Sequence, residues 1–162
     1  MLEVRSLVKD FGNVSAVNDI SFKVDEPRMI GVIGRSGAGK STLLRILNRL
    51  TDATAGEVMY EGDDILKLKG KKKLEWQRRC AMIFQQFNLV PRLDVLTNVI
   101  LGRLNQQSTL RSSLKFFSKE ERRQALMLLD RFGVAETALQ RAETLSGGQQ
   151  QRVAICRAMM QI

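Results

Sequence analysis

Eight residues, Gly34-Arg35-Ser36-Gly37-Ala38-Gly39-Lys40-Ser41, carry the densest chemistry in the chain. A glycine, four intervening residues and then Gly-Lys-Ser is the spacing of a loop whose backbone N–H groups curl inward around a phosphate. Lys40 adds a full positive charge between neighbouring phosphate oxygens, the Ser41 hydroxyl is a hard ligand suited to Mg²⁺, and Thr42 offers a hydroxyl to an α-phosphate. A second cluster, Leu145-Ser146-Gly147-Gly148-Gln149, also stands at the start of a helical pattern, where bare amides form another anion site. Ser146 either caps that helix or binds phosphate.

Such a loop works only when a buried strand feeds it and a helix leaves it. Met29–Ile33, a continuous apolar run after Pro27, reads as a strand buried on both faces of a parallel sheet, and Lys40–Leu50 reads as a helix with Leu43, Ile46, Leu47 and Leu50 on one stripe. Ahead of them, Glu3–Lys9 and Ala16–Val24 alternate apolar and polar positions around Phe-Gly-Asn, the pattern of an antiparallel pair. Gly56–Ile65 predicts a strand ending in a turn at Gly62, and Cys80–Phe84 a second buried strand. Asp94 and Ser118 each precede helix-like segments, Ser118 with Glu121 as a capping box, and Gly133 stands where a helix stops. Residues 94–142 are thus expected to be mostly helical, interrupted near Asn105–Ser113, with a last helix beyond Leu145.

Composition narrows the chemistry. The 162 residues are 44% hydrophobic, enough for a core, and no run of 18 apolar residues or secretory leader is expected. Two distant cysteines and no histidine argue against a disulfide framework, a zinc site or a histidine base in this chain, and suit a reducing cytoplasm. The net charge is +9, but five lysines lie between Lys67 and Lys73; removing those five from the 26 basic residues leaves an excess of only +4 over the 17 acids. That tract reads as a solvated loop, with contact to anionic lipid or nucleic acid as the alternative.

A phosphate loop, then Phe84-Gln85-Gln86, then Leu-Ser-Gly-Gly-Gln-Gln-Gln-Arg after a helical insertion resembles the ATPase subunit of an ABC transporter. The stretches from Phe84 to Leu104, Leu110 to Leu126 and Leu145 to Gln161 look like the phosphonate importer ATPases in particular. The fold implied is α/β, a P-loop NTPase with an ABC ATPase core, an antiparallel β subdomain and a helical subdomain. Residues 1–89 are expected as nucleotide-binding core and β subdomain, 90–143 as helical subdomain and 144–162 as signature motif and following helix. The resemblance implies ATP and Mg²⁺ as cofactors, held by Gly34, Arg35, Ser36, Gly37, Ala38, Gly39, Lys40, Ser41 and Thr42. It puts Phe11 against adenine, Gln85 (Gln86 being the poorer choice) at the metal or the attacking water, and Ser146, Gly147, Gly148 and Gln149 over the nucleotide of a second subunit. Lys40 and Gln85 are the expected catalytic residues, Ser41 and Gln85 the metal-contacting ones.

The implied partners are a second ATPase subunit, transmembrane permease subunits and, indirectly, a phosphonate-binding protein outside the membrane, at the cytoplasmic face of a bacterial inner membrane. No nucleic acid is expected. The family pattern continues past Ile162 with a Walker B strand, a catalytic glutamate and a switch histidine, so the resemblance implies a truncated form with negligible hydrolysis by itself. It also implies two apolar strands, Met29–Ile33 and Cys80–Phe84, lacking the neighbours that should lie between them, and hence instability. The alternatives are a non-hydrolysing nucleotide-binding module and a non-transport ABC ATPase acting on nucleic acid.

Overall fold

Alternating apolar positions in the first 24 residues lay down the expected hairpin. In a computed structural model, which describes residues 1–106 and 117–161, β1 (Leu2–Phe11) pairs antiparallel with β2 (Val14–Val24), Leu2 opposite Val24 and Phe11 opposite Val14. β3 (Ala55–Tyr60) lines the other edge of β1, Val4 opposite Val58, and β4 (Asp63–Asp64) follows, giving the order β2-β1-β3-β4. The turn between β3 and β4 is Glu61-Gly62, both left-handed, as the glycine predicts.

The chain divides into two units, Met1–Cys80 and Ala81–Ile162. In the first, α1 (Lys40–Leu47) lays Leu43 and Ile46 into a core with Val4, Leu7, Val17, Val58, Ile65 and Trp76. Leu50 does not join that stripe: the helix ends at Leu47, Arg49 turns left-handed, and Leu50 is exposed. The lysine tract is only in part a loop, because Gly70–Lys73 form the first turn of α2 (Gly70–Arg79), which carries Trp76 into the core. Straight-chain lysines are good helix formers once such an anchor is buried.

The two expected parallel strands are not formed. Met29–Ile33 has no ladder partner, and Met29 and Ile33 are 100% and 97% exposed; Cys80–Phe84 is likewise without strand structure. A strand needs neighbours to take its N–H and C=O groups, and neither run finds one among the described residues.

The second unit is helical. Asp94 caps α3 (Val95–Ile100), its Oδ1 accepting from the Thr97 amide at 2.7 Å and its Oδ2 from the Thr97 hydroxyl at 2.8 Å. A 3₁₀ stretch, Leu101–Gln106, comes next. The expected interruption near Asn105–Ser113 lies, beyond Gln106, outside the described residues. Ser118 opens α4 (Lys119–Arg131) with the expected capping box, and Gly133 stops it at φ +62°. α5 (Gly147–Gln161) closes the unit, bringing Val153, Cys156 and Met160 into a core with Val95, Val99, Ile100, Ala125 and Leu129.

Candidate functional site

Directly ahead of α1 the chain makes a tight loop. The Ala38 amide donates to the Arg35 carbonyl at 3.2 Å, and Gly37 and Gly39 both take φ +78°. A side chain at Gly39 would bring its Cβ within 1.8 Å of the Ala16 carbonyl oxygen on β2, so the glycine lets the loop lie against the sheet. The first helical bond runs from the Leu43 amide to the Gly39 carbonyl. The amides of Lys40, Ser41 and Thr42 therefore stand at the positive end of α1 with no preceding helical carbonyl.

Lys40 reaches back over this loop, its ammonium donating to the carbonyls of Gly34 at 2.8 Å and Arg35 at 2.7 Å. The charge is thus held at the loop mouth by two neutral carbonyls, with which an anionic oxygen would compete. Gly34, Arg35, Ser36, Gly37, Ala38 and Ser41 are exposed; Gly39, Lys40 and Thr42 are half-buried. A cleft of about 400 Å³ lies alongside, lined by Val17, Asn18, Gly37, Gly39 and Lys40 among others. Phe11 is not among its lining residues. It stands at the end of β1, 53% exposed, with the Lys9 ammonium 4.8 Å from its ring centroid.

Behind the loop, two α2 side chains secure the far end of α1, a contribution that sequence reasoning missed. The Trp76 indole N–H donates to the Leu47 carbonyl at 2.8 Å, and the Gln77 amide donates to the Arg49 carbonyl at 2.9 Å. Trp76 also meets Tyr60 edge-on, ring centroids 5.0 Å apart.

The other motifs belong to the second unit. Ser146 does cap α5: its Oγ accepts from the Gln149 amide at 3.3 Å, while the Gln149 side chain accepts from the Ser146 amide at 2.9 Å. Around Gly147 and Gly148 a Cβ would meet nothing within 4 Å among the described residues. Gln85 is exposed and begins a turn, Gln85–Asn88, in which Phe87 and Asn88 are left-handed. Two residues that their sequence does not single out hold this turn and the segment leaving it. Asn98, fully buried, accepts from the Val90 amide at 2.7 Å and donates to the carbonyls of Val90, Leu93 and Asp94. Arg157 on α5 donates to the carbonyls of Phe87 and Asn88.

Residues 17–162 match the family profile described as ABC transporter. The chain belongs to the ABC transporter family. It is 57% identical over 161 residues, 99% of its length, to the phosphonates import ATP-binding protein PhnC of Rhizobium meliloti, and 56% identical to that of Ruegeria pomeroyi. It spans 58% and 59% of those two proteins. Among solved ABC structures it resembles the dimeric MJ0796 cassette, with a TM-score of 0.84 at 31% identity, covering 99% of this chain and 70% of that one. A post-hydrolysis dimer of the same cassette, bound to ADP and Pi, matches with a TM-score of 0.83. The glycine loop before α1 is thus set in the P-loop fold of an ABC ATPase cassette. Among the described residues no helix is long and apolar enough to cross a membrane.

Proposed function

We propose that this chain supplies the ATP-binding part of a phosphonate importer ATPase. The observation that carries the proposal is the 57% identity to a phosphonates import ATP-binding protein over 99% of the chain, a span that takes in the loop Lys40 crosses. In this reading the Lys40 ammonium leaves the Gly34 and Arg35 carbonyls for β- and γ-phosphate oxygens, and the first-turn amides of α1 receive the phosphates. Thr42 adds a hydroxyl, and Phe11 offers its ring to the base.

Mg²⁺ fits the donor set. The Ser41 hydroxyl brings a neutral oxygen to the first turn of α1, which suits an ion that takes its other ligands from phosphate and water. Bound there, it would supply neutralisation of phosphate charge, with Ser41 as the ligand of the first unit; Gln85, in the second unit, is assigned separately to the metal or the attacking water. Ser146, Gly147, Gly148 and Gln149 act on the triphosphate of a second copy, a role for which the space around both glycines, open among the described residues, leaves room. Residues 1–89 form the core and β subdomain, 90–143 the helical subdomain and 144–162 the signature motif and its helix. Hydrolysis and import belong to the complete subunit, docked on permease subunits at the cytoplasmic face of the membrane and fed by a phosphonate-binding protein.

Calorimetric titration with ATP and Mg²⁺ tests the reading. Replacing Lys40 with alanine removes a charge-assisted contact to two phosphates and should weaken binding on the order of 100-fold. Unchanged affinity overturns it, as would tight nucleic-acid binding with a steep salt slope in place of ATP binding.

A further inference from the structure

We propose that Arg157 is a positioning residue: it ties the Gln85–Asn88 turn to the helix opened by Ser146, so that the two motifs of the second unit move as one piece. The proposal rests on the ATP-binding function and deepens it.

The guanidinium donates from Nη1 to the Asn88 carbonyl at 2.6 Å and from Nη2 to the Phe87 carbonyl. Those carbonyls belong to consecutive non-glycine residues in the left-handed region, φ +58° and +47°. Such a pair persists only where its surroundings hold it. Backbone bonds from Phe87 to Phe84 at 2.9 Å and from Asn88 to Gln86 at 2.7 Å shape the turn, and the arginine fork secures its exit. Gln85 itself stays exposed, so its amide remains available to a ligand.

Arginine is demanded by the geometry, because a planar fork spans two successive carbonyls where a lysine ammonium is a single point. Among the described residues Arg157 has no carboxylate partner, and burial pushes its pKa below the usual range. The cation is therefore retained for these two carbonyls rather than for an ion pair. Its own backbone is fixed from the opposite side: a Cβ at Gly102 would lie 2.3 Å from the Arg157 carbonyl oxygen, and Arg103 donates from Nε to the Met160 carbonyl at 3.3 Å. The tie continues past the turn. The Ala142 amide donates to the Leu93 carbonyl at 3.0 Å and the Val95 amide to the Gln140 carbonyl at 3.0 Å, joining the segment after Gln85 to the segment before Ser146.

The test compares Arg157→Met and Arg157→Lys in the complete subunit assembled with its permease partners. Amide exchange at Phe87–Leu89 should rise about tenfold in the methionine variant. The kcat for ATP should fall about tenfold or more, with KM and calorimetric ATP affinity within about twofold of the parent, and lysine should restore part of both effects. Unchanged exchange overturns the tie. Raised exchange with unchanged kcat overturns the positioning role and leaves only a local strut. If the methionine variant does not fold, the lysine variant decides by the same two readouts. Absence of ATP binding in the parent would instead remove the function on which the proposal rests, while the exchange measurement still decides whether Arg157 holds the turn.

Discussion

Two glycine turns open helices in this chain, and they omit side chains for opposite reasons. At Gly39 the missing Cβ would collide with the Ala16 carbonyl at 1.8 Å, so the fold itself excludes it. At Gly147 and Gly148 a Cβ would enter open space, so nothing among the described residues forbids it. The first turn keeps its helix amides uncapped and parks the Lys40 ammonium on two carbonyls; the second closes itself with the reciprocal Ser146–Gln149 cap. On the proposed function, the phosphate loop is laid into the packing of its own unit, whereas the Ser146 turn, proposed to meet a second copy, is left bare.

Substitutions at the two turns should separate these roles. The largest effect is expected for Gly39→Ala, which meets a left-handed backbone and a carbonyl at once; denaturant melts should show a loss of about 3 kcal/mol. A loss below about 1 kcal/mol would mean that the loop does not rest on β2 as described. Gln149→Ala should remove half of a cap and lower stability by about 0.5–1 kcal/mol, with no change in ATP affinity by calorimetry. Gly148→Ala should go the other way, stabilising α5 by about 0.5 kcal/mol while ATP-driven pairing of the complete subunit, followed by light scattering, is lost. If that variant pairs normally, the open space has another purpose.

An effect confined to alkaline pH lies behind the second turn. Cys156 is buried on α5, its Sγ donating to the Leu128 carbonyl, and burial pushes its thiol up to about 11 from 9.0. The folded state holds this proton more tightly than the unfolded one, so stability should be level below pH 9 and fall as pH rises toward 11. A Cys156→Ala variant should flatten that slope.

How much of this was legible in the sequence depended on the reach of each interaction. The Ser118–Glu121 box, the Asp94 cap, the Gly133 stop and the hairpin around Gly12 are decided within a few residues and stand where their patterns put them. The glycine loop ahead of α1 likewise stands where its local spacing puts it. Met29–Ile33 misled because an apolar run specifies a strand only together with neighbours, and none among the described residues pairs with it. Leu50 misled because Arg49 turns left-handed one residue too early for the stripe to continue. Asn98, Trp76 and Arg157 gave no signal at all. Their partners lie up to 70 residues away, and a lone asparagine, tryptophan or arginine does not announce which carbonyl it will meet.

The bond from Trp76 to the Leu47 carbonyl has a practical consequence. The chain contains one tryptophan and one tyrosine, and they lie edge to face at the trailing end of the very helix whose leading end carries Lys40. Light absorbed at the red edge of the indole band therefore reports from a single buried ring, without dyes or engineered labels, on the helix that would respond when a phosphate enters the loop.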